Sequence, residues 1–479
     1  MVLALVLGAC TSASEPAAAP TERVDDRFDA YGGSTEVALD ATGWFRTEEV
    51  DGRWWLVTPD GHPFWSAGVN GVRPTGTPDR DGNTPYADAV AAAYADEQAW
   101  ADAQVERFGE WGVTTLGGWG EEAQPLFAGR VPYTHVLDLA RDVDEQGRFA
   151  WADLWDEAWA DGARAEIAEA TAARRDDPWL VGWFTDNEMP WGMGLSGDGL
   201  VTMLDLDLGR PADAPGKQAL IAFLRQRYDD DLGRLAADLP ALAAASWDEL
   251  AAPRPPVQLA PTPGGKATQV AWATAVAERY FAVVGPALQE ADPDHLDLGV
   301  RFVAVATPRP VLEVAARSVD VVSVNFYELT PAFDATVLDL AEEIPLVGTR
   351  DTLAGFGAAG KPVLVSEYGY RAADAGLPNT TPAIFVTVPT QADRAAAVRN
   401  YGRCLLATPY VVGAHWFLHA DQPAAGRADG EDQNLGLVDA DDRPYEEVTA
   451  TLADLHDEAY ARLDPEADPL PCTPVGAQA

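Results

Sequence analysis

Residues 177–191 read DPWLVGWFTDNEMPW. Leu180, Val181, Trp183 and Phe184 make a short apolar run of the kind found in strands buried on both faces. The run leads straight into Asp186, Asn187 and Glu188, so a carboxylate stands where a buried strand ends. Burying a charge is costly unless something pairs with it or uses it. That makes this strand end a candidate site.

Similar runs lie on both sides. GVTTLGGW (112–119) and YTHVLDL (133–139) precede it, and LDLGVRF (296–302), VDVVSVNFY (319–327), KPVLVSEYG (361–369) and VVGAHWF (411–417) follow. Earlier, in WFRTEEVDGRWWLVTPDGHPFWSAGVN (44–70), two apolar arms flank Pro59, Asp60 and Gly61. This predicts an N-terminal β-hairpin whose second arm continues inward as a strand ending near Asn70. The total is eight strands, with helical patterns at 92–111, 154–174, 268–289, 311–317, 336–359, 391–407 and 445–463. Such alternation predicts an α/β fold with a parallel sheet, and eight strands favour a closed (β/α)8 TIM barrel over residues 37–463. No GxGxxG follows an early strand, which argues against a dinucleotide-binding sheet. Residues 190–266 are too many for an ordinary loop. With helical pieces at 216–228 and 230–239, the second stopped by Pro240, they predict a long helical insertion after the fourth strand, on the catalytic face.

Chemistry in such barrels gathers at the carboxyl ends of the strands. The fourth strand ends in Asp186-Asn187-Glu188 and the seventh in Ser366-Glu367-Tyr368. A lone glutamate reads most simply as a solvated or salt-bridged residue. Two on opposite sides of one ring match what glycoside hydrolysis needs: an acid to protonate the leaving oxygen and a carboxylate, about 5–5.5 Å away in retaining enzymes, to attack the anomeric carbon. Glu188 is the expected acid/base, its proton held by burial among Trp183, Phe184 and Trp191 and by a nearby second carboxylate; Glu367 is the expected nucleophile.

These residues resemble the signature of glycoside hydrolase clan A, and GWFRTEEVDGRWWLVTPDGHPFWSAGVN, GWFTDNEMPWG, LGVRF, DVVSVNFYE, KPVLVSEYG and GAHWFLHADQPAAGRADGEDQNLGLVDADDRPY resemble, in order, segments of its family 50, the β-agarases. The resemblance spans most of residues 43–455. It implies that Asn187 hydrogen-bonds the sugar 2-hydroxyl, that Tyr327 orients the nucleophile, and that Trp416 is a sugar platform. It also makes Arg301 either a brace for a carboxylate or a structural ion pair at the barrel mouth. His415 and Asp421 are candidate hydroxyl contacts; Asn70 and Trp119 are candidates for subsite contacts by position. Where family members usually carry a β-sandwich, this sequence has a tether, and the insertion lies where subsites are made, so the bond cleaved is read more firmly than the polymer.

Composition is consistent with this reading. A formal charge of −43, from 76 acidic and 33 basic residues, disfavours nucleic acid or an anionic membrane as partner. Sixteen tryptophans, some beside acids as in Trp119, Trp191 and Trp416, suit either core packing or a carbohydrate groove. MVLALVLGAC (1–10) resembles a bacterial lipoprotein signal ending at a lipidated Cys10, although no Lys or Arg precedes the apolar run. Residues 11–36 read as a flexible linker and 464–479 as a C-terminal tail. The expectation is a secreted, surface-tethered enzyme that meets the membrane only through that lipid. Cys404 and Cys472 would then be free to form a disulfide, although spacing alone does not show that the sulfurs meet. No cofactor or metal is expected: HExxH and GxSxG are both absent. The expected partner is a polysaccharide or oligosaccharide, with a retaining β-galactosidic hydrolase of agarose or a related galactan as the leading reading. The alternatives are an exo-β-galactosidase or another clan A β-glycosidase, and a non-catalytic carbohydrate-binding lipoprotein.

Overall fold

The computed structural model describes residues 26–143, 149–196, 199–258, 260–304, 306–328, 348–381 and 385–472; Cys10 and the signal segment lie outside them. Eight strands form a closed barrel: β1 (Ser66–Val69), β2 (Thr115–Leu116), β3 (Tyr133–Val136), β4 (Leu180–Asn187), β5 (Leu296–Val303), β6 (Val322–Asn325), β7 (Val363–Tyr368) and β8 (Val411–Trp416). Every neighbouring pair is parallel, and β8 returns to β1 through Gly413–Ser66 to Trp416–Val69. The apolar runs of the sequence are therefore the staves of one barrel.

Both faces of β4 are buried along its whole length. Val181 and Phe184 join Leu296, Leu298, Leu364 and Val412 in one cluster, while Leu180 and Trp183 join the larger core. Each large apolar side chain so enclosed contributes about 1.5–3 kcal/mol. Leu56 and Phe64, from a three-stranded N-terminal sheet, and Phe45, just before its first strand, pack into the first cluster. This sheet has a turn the sequence reading missed. Strands Arg46–Val50 and Arg53–Val57 meet at Asp51-Gly52, both with positive φ, and the Pro59–Gly61 turn leads into the third strand, Pro63–Phe64.

Helices return the chain between most strands, the longest over Pro263–Ala291. The part of the 336–359 pattern that is described forms the helix Gly348–Gly357; residues 336–347 lie outside the described residues. After β4 the insertion makes a hairpin, Gly194–Ser196 with Gly199–Val201, and helices Met203–Gly209, Pro215–Arg227, Leu232–Asp238 and Trp247–Ala251. Buried Asp207 fastens it to the helix Pro263–Ala291 by accepting from Trp272 Nε1 at 3.1 Å, and within the insertion it accepts from Arg210 Nε at 2.8 Å. Cys404 and Cys472 are joined by a disulfide, which pins the chain after the last helix to the helix Gln391–Leu406.

Candidate active site

Three polar residues leave the end of β4, each with a different task. Asp186 is fully buried and accepts from the backbone N–H groups of Ala140 and Arg141, at 2.9 and 3.1 Å, and from the Tyr280 hydroxyl at 2.7 Å. It thereby ties the loop after β3 to β4, while burial pushes its carboxyl up to about 7. Asn187 Oδ1 accepts from Arg301 Nη1 at 3.2 Å and from Asn325 Nδ2 at 3.0 Å, leaving its own Nδ2 as the group able to reach a ligand. Glu188 turns out of the strand with φ +52°, a conformation that side chains rarely adopt. Its backbone N–H donates to the Arg301 carbonyl at 3.0 Å and its Oε1 accepts from Asn325 Nδ2 at 3.1 Å. Burial, followed by the charge of Glu367, raises the Glu188 carboxyl to about 7; the Asn325 amide and Arg301 pull the other way.

Across the mouth, Glu367 is 6% exposed and surrounded by donors. Its Oε1 lies 2.8 Å from Trp119 Nε1 and 2.8 Å from Arg301 Nη1, and its Oε2 accepts from the Tyr327 hydroxyl at 2.9 Å. Burial and the charge of Glu367 hold the Tyr327 phenol well above its ordinary value, so it remains a donor. Fully buried Arg301 also donates from Nη2 to Asn70 Oδ1 at 3.0 Å and to the Ser366 carbonyl at 2.7 Å. A buried ion pair broken on one side costs roughly 3–5 kcal/mol. The protein therefore keeps this geometry firmly.

The structure thus brings together Glu188, Glu367, Asn187, Tyr327, Arg301 and Trp119. Other expected contacts fall elsewhere. Asn70 lies beneath the site with no exposure. Its Nδ2 donates to the Ser366 and Trp416 carbonyls, and its Oδ1 accepts from Gly118 and Arg301, so it braces the site and does not face a ligand. Trp191 is 1% exposed and stacked on Phe281 in the core. Trp416 is also 1% exposed, its Nε1 donating to the Leu435 carbonyl and Arg394 lying over its ring; the next residue, Phe417, is the partly exposed one. His415 is buried inside the barrel against Ser66 Oγ at 2.9 Å, and burial lowers its pKa to about 3. Asp421 folds the loop after β8 by accepting from Asn434, Gly436 and Tyr445. A tryptophan or histidine beside polar residues reads the same in sequence whether its ring faces a cleft or the core.

Asn325 was missed. It donates to Asn187 and Glu188 while accepting from Ser366 Oγ at 2.8 Å, so it links the two carboxylate strands. The available signal was an asparagine ending the apolar run DVVSVN, two residues before Tyr327.

No family model matches the chain. Over 91% of its length it is 30% identical to β-agarase A of Vibrio sp. (strain JT0107), of which it covers 48%. The chain spans about half the length of the curated relatives it matches. It superposes on the solved structure of PfGH50B with a TM-score of 0.72 and 25% identity, covering 92% of this chain and 69% of that one. On an exo-β-agarase the TM-score is 0.71 at 25% identity, covering 92% and 68%. The resemblance to glycoside hydrolase family 50 therefore extends through the barrel, in sequence and in fold.

Proposed function

We propose that the chain is a retaining glycoside hydrolase that cleaves β-galactosidic linkages in agarose or a related galactan. The observation that carries this is the unlike pair of glutamates: Glu188, whose proton persists to about pH 7, and Glu367, held by Arg301, Trp119 and Tyr327. Glu367 attacks the anomeric carbon as the bond to the leaving oxygen breaks, and that oxygen takes the proton of Glu188. Glu188, now a carboxylate, then removes a proton from water; the water oxygen bonds the anomeric carbon and Glu367 leaves. The likeness to β-agarases supports the galactan as substrate, and LGAC at residues 7–10 supports tethering at the cell surface.

Two measurements follow. Purified protein is incubated with agarose, agaro-oligosaccharides and aryl β-galactosides, and the products are resolved by mass. A ladder of oligomers marks internal cleavage, one small product from the outset marks cleavage at chain ends, and inertness on every β-galactoside refutes the reading. On the active substrate, kcat/KM falls as pH rises through about 7, because the raised carboxyl of Glu188 is protonated below that value and loses its proton above it. A profile flat from pH 6 to 9 would remove Glu188 as the acid.

A further inference from the structure

Trp119, after β2, holds φ +69°, in the left-handed region that bulky residues avoid. The other non-glycine residues with positive φ among those described are Asp, Asn or Gln, except Glu188. Strain of this kind persists only where the surroundings enforce it, and it concentrates at functional sites. Here the Trp119 backbone N–H donates to Glu121 Oε1 at 3.0 Å. Gly117 passes so close to Asn70 that a Cβ there would lie 2.5 Å from its Oδ1. The guanidinium carbons of Arg141 and Arg301 lie 4.8 and 5.0 Å from the centre of the Trp119 ring. Cations over an indole draw electron density from the ring and strengthen its N–H as a donor. A ring occupied in this way is a poor sugar platform.

The geometry points to Trp119 as a positioning residue: with Arg301 it fixes Oε1 of Glu367, leaving Oε2 as the atom that attacks. This rests on the reading of Glu367 as nucleophile. Oε1 accepts from the indole N–H and is ion-paired with Arg301, whereas among the described residues Oε2 has only the Tyr327 hydroxyl. When Oε2 bonds the anomeric carbon and the glycosidic oxygen departs with the Glu188 proton, Oε1 becomes the ester carbonyl oxygen, still facing the indole N–H. When water displaces the enzyme, the electron pair of the Oε2–carbon bond returns to the carboxylate and the same N–H receives the charge that builds on Oε1. Trp119 is therefore expected to assist the second step. The charged and titratable groups facing Glu367 are Glu188 from β4, Arg301 from β5, Tyr327 after β6, and Arg427 and Glu431 after β8. Replacing Trp119 removes none of these.

The test is Trp119→Phe, with 3-benzothienylalanine at position 119 as a second variant that keeps the indole shape and replaces N–H with sulfur. On agaro-oligosaccharide, loss of the N–H should slow release of the glycosyl-enzyme. It should also lower kcat by roughly tenfold and let the glycosyl-enzyme accumulate to a level visible by mass. A structural role would not produce that accumulation. An unchanged kcat and no accumulated glycosyl-enzyme in the benzothienyl variant, with Glu367→Gln inactive, would overturn the role of Trp119 alone. Turnover by Glu367→Gln would overturn the underlying assignment.

Discussion

Glu367→Gln should lose turnover by roughly 10⁴-fold or more, because the amide cannot form the ester on which the retaining route depends. The substitution is chosen over Glu367→Ala for a physical reason. Trp119 donates to Oε1, Arg301 is ion-paired with the same oxygen, and Tyr327 donates to Oε2. Alanine would leave these buried donors facing a hole, and each unsatisfied group costs about 1–3 kcal/mol. Glutamine keeps an acceptor in place, so its thermal midpoint should stay near that of the wild type while activity disappears. It should also move the titration of Glu188, followed by NMR, to lower pH, since the charge of Glu367 is the second cause of its rise after burial. A Glu188 titration unmoved by this change would mean that the two carboxylates do not face each other across the mouth.

The second large effect is at Glu188. Glu188→Gln should slow cleavage of agaro-oligosaccharides by ~10²–10⁴-fold, the usual contribution of a positioned general acid. Substrates with acidic aryl leaving groups need no proton for the first step and should still form the glycosyl-enzyme rapidly, which separates loss of the acid from loss of fold. The fall in rate above about pH 7 should vanish in this variant, because the titrating group is gone. Azide provides a further check by replacing water in the second step, and the rescued product should keep the β configuration. Equal losses on both substrate types would place Glu188 in binding or folding and not in proton transfer.

The barrel was legible because a strand covered on both faces reads as an unbroken apolar run, and each polar residue that closes such a run marks a carboxyl end. Glu188 and Glu367 stood out by that rule. The rest of the site is made by partners distant in sequence. Asn70 and Arg301 are 231 residues apart, and nothing local in HPFWSAGVN distinguishes an asparagine that braces a guanidinium from one that meets a sugar. Burial was the second blind spot. Trp191 and Trp416 follow polar chemistry in the chain, yet both rings are packed away, while Trp119, in a glycine-rich turn, reaches Glu367. Asp186 looked like one more acid of DNE, although it is an internal tie between β4 and the loop after β3. The hairpin turn was misplaced because PDG at 59–61 is a stronger signal by composition than DG at 51–52, and the structure uses both.

The claim on which all of this depends is that Glu367 becomes covalently bonded to the sugar. A 2-deoxy-2-fluoro β-galactoside with a good leaving group slows release of the intermediate, so the enzyme can be trapped, digested after Arg350 and Arg371, and weighed. One fluorogalactosyl group is expected on the peptide 351–371, located on Glu367. A label on any other residue, or product released with inverted configuration and no label at all, would contradict it.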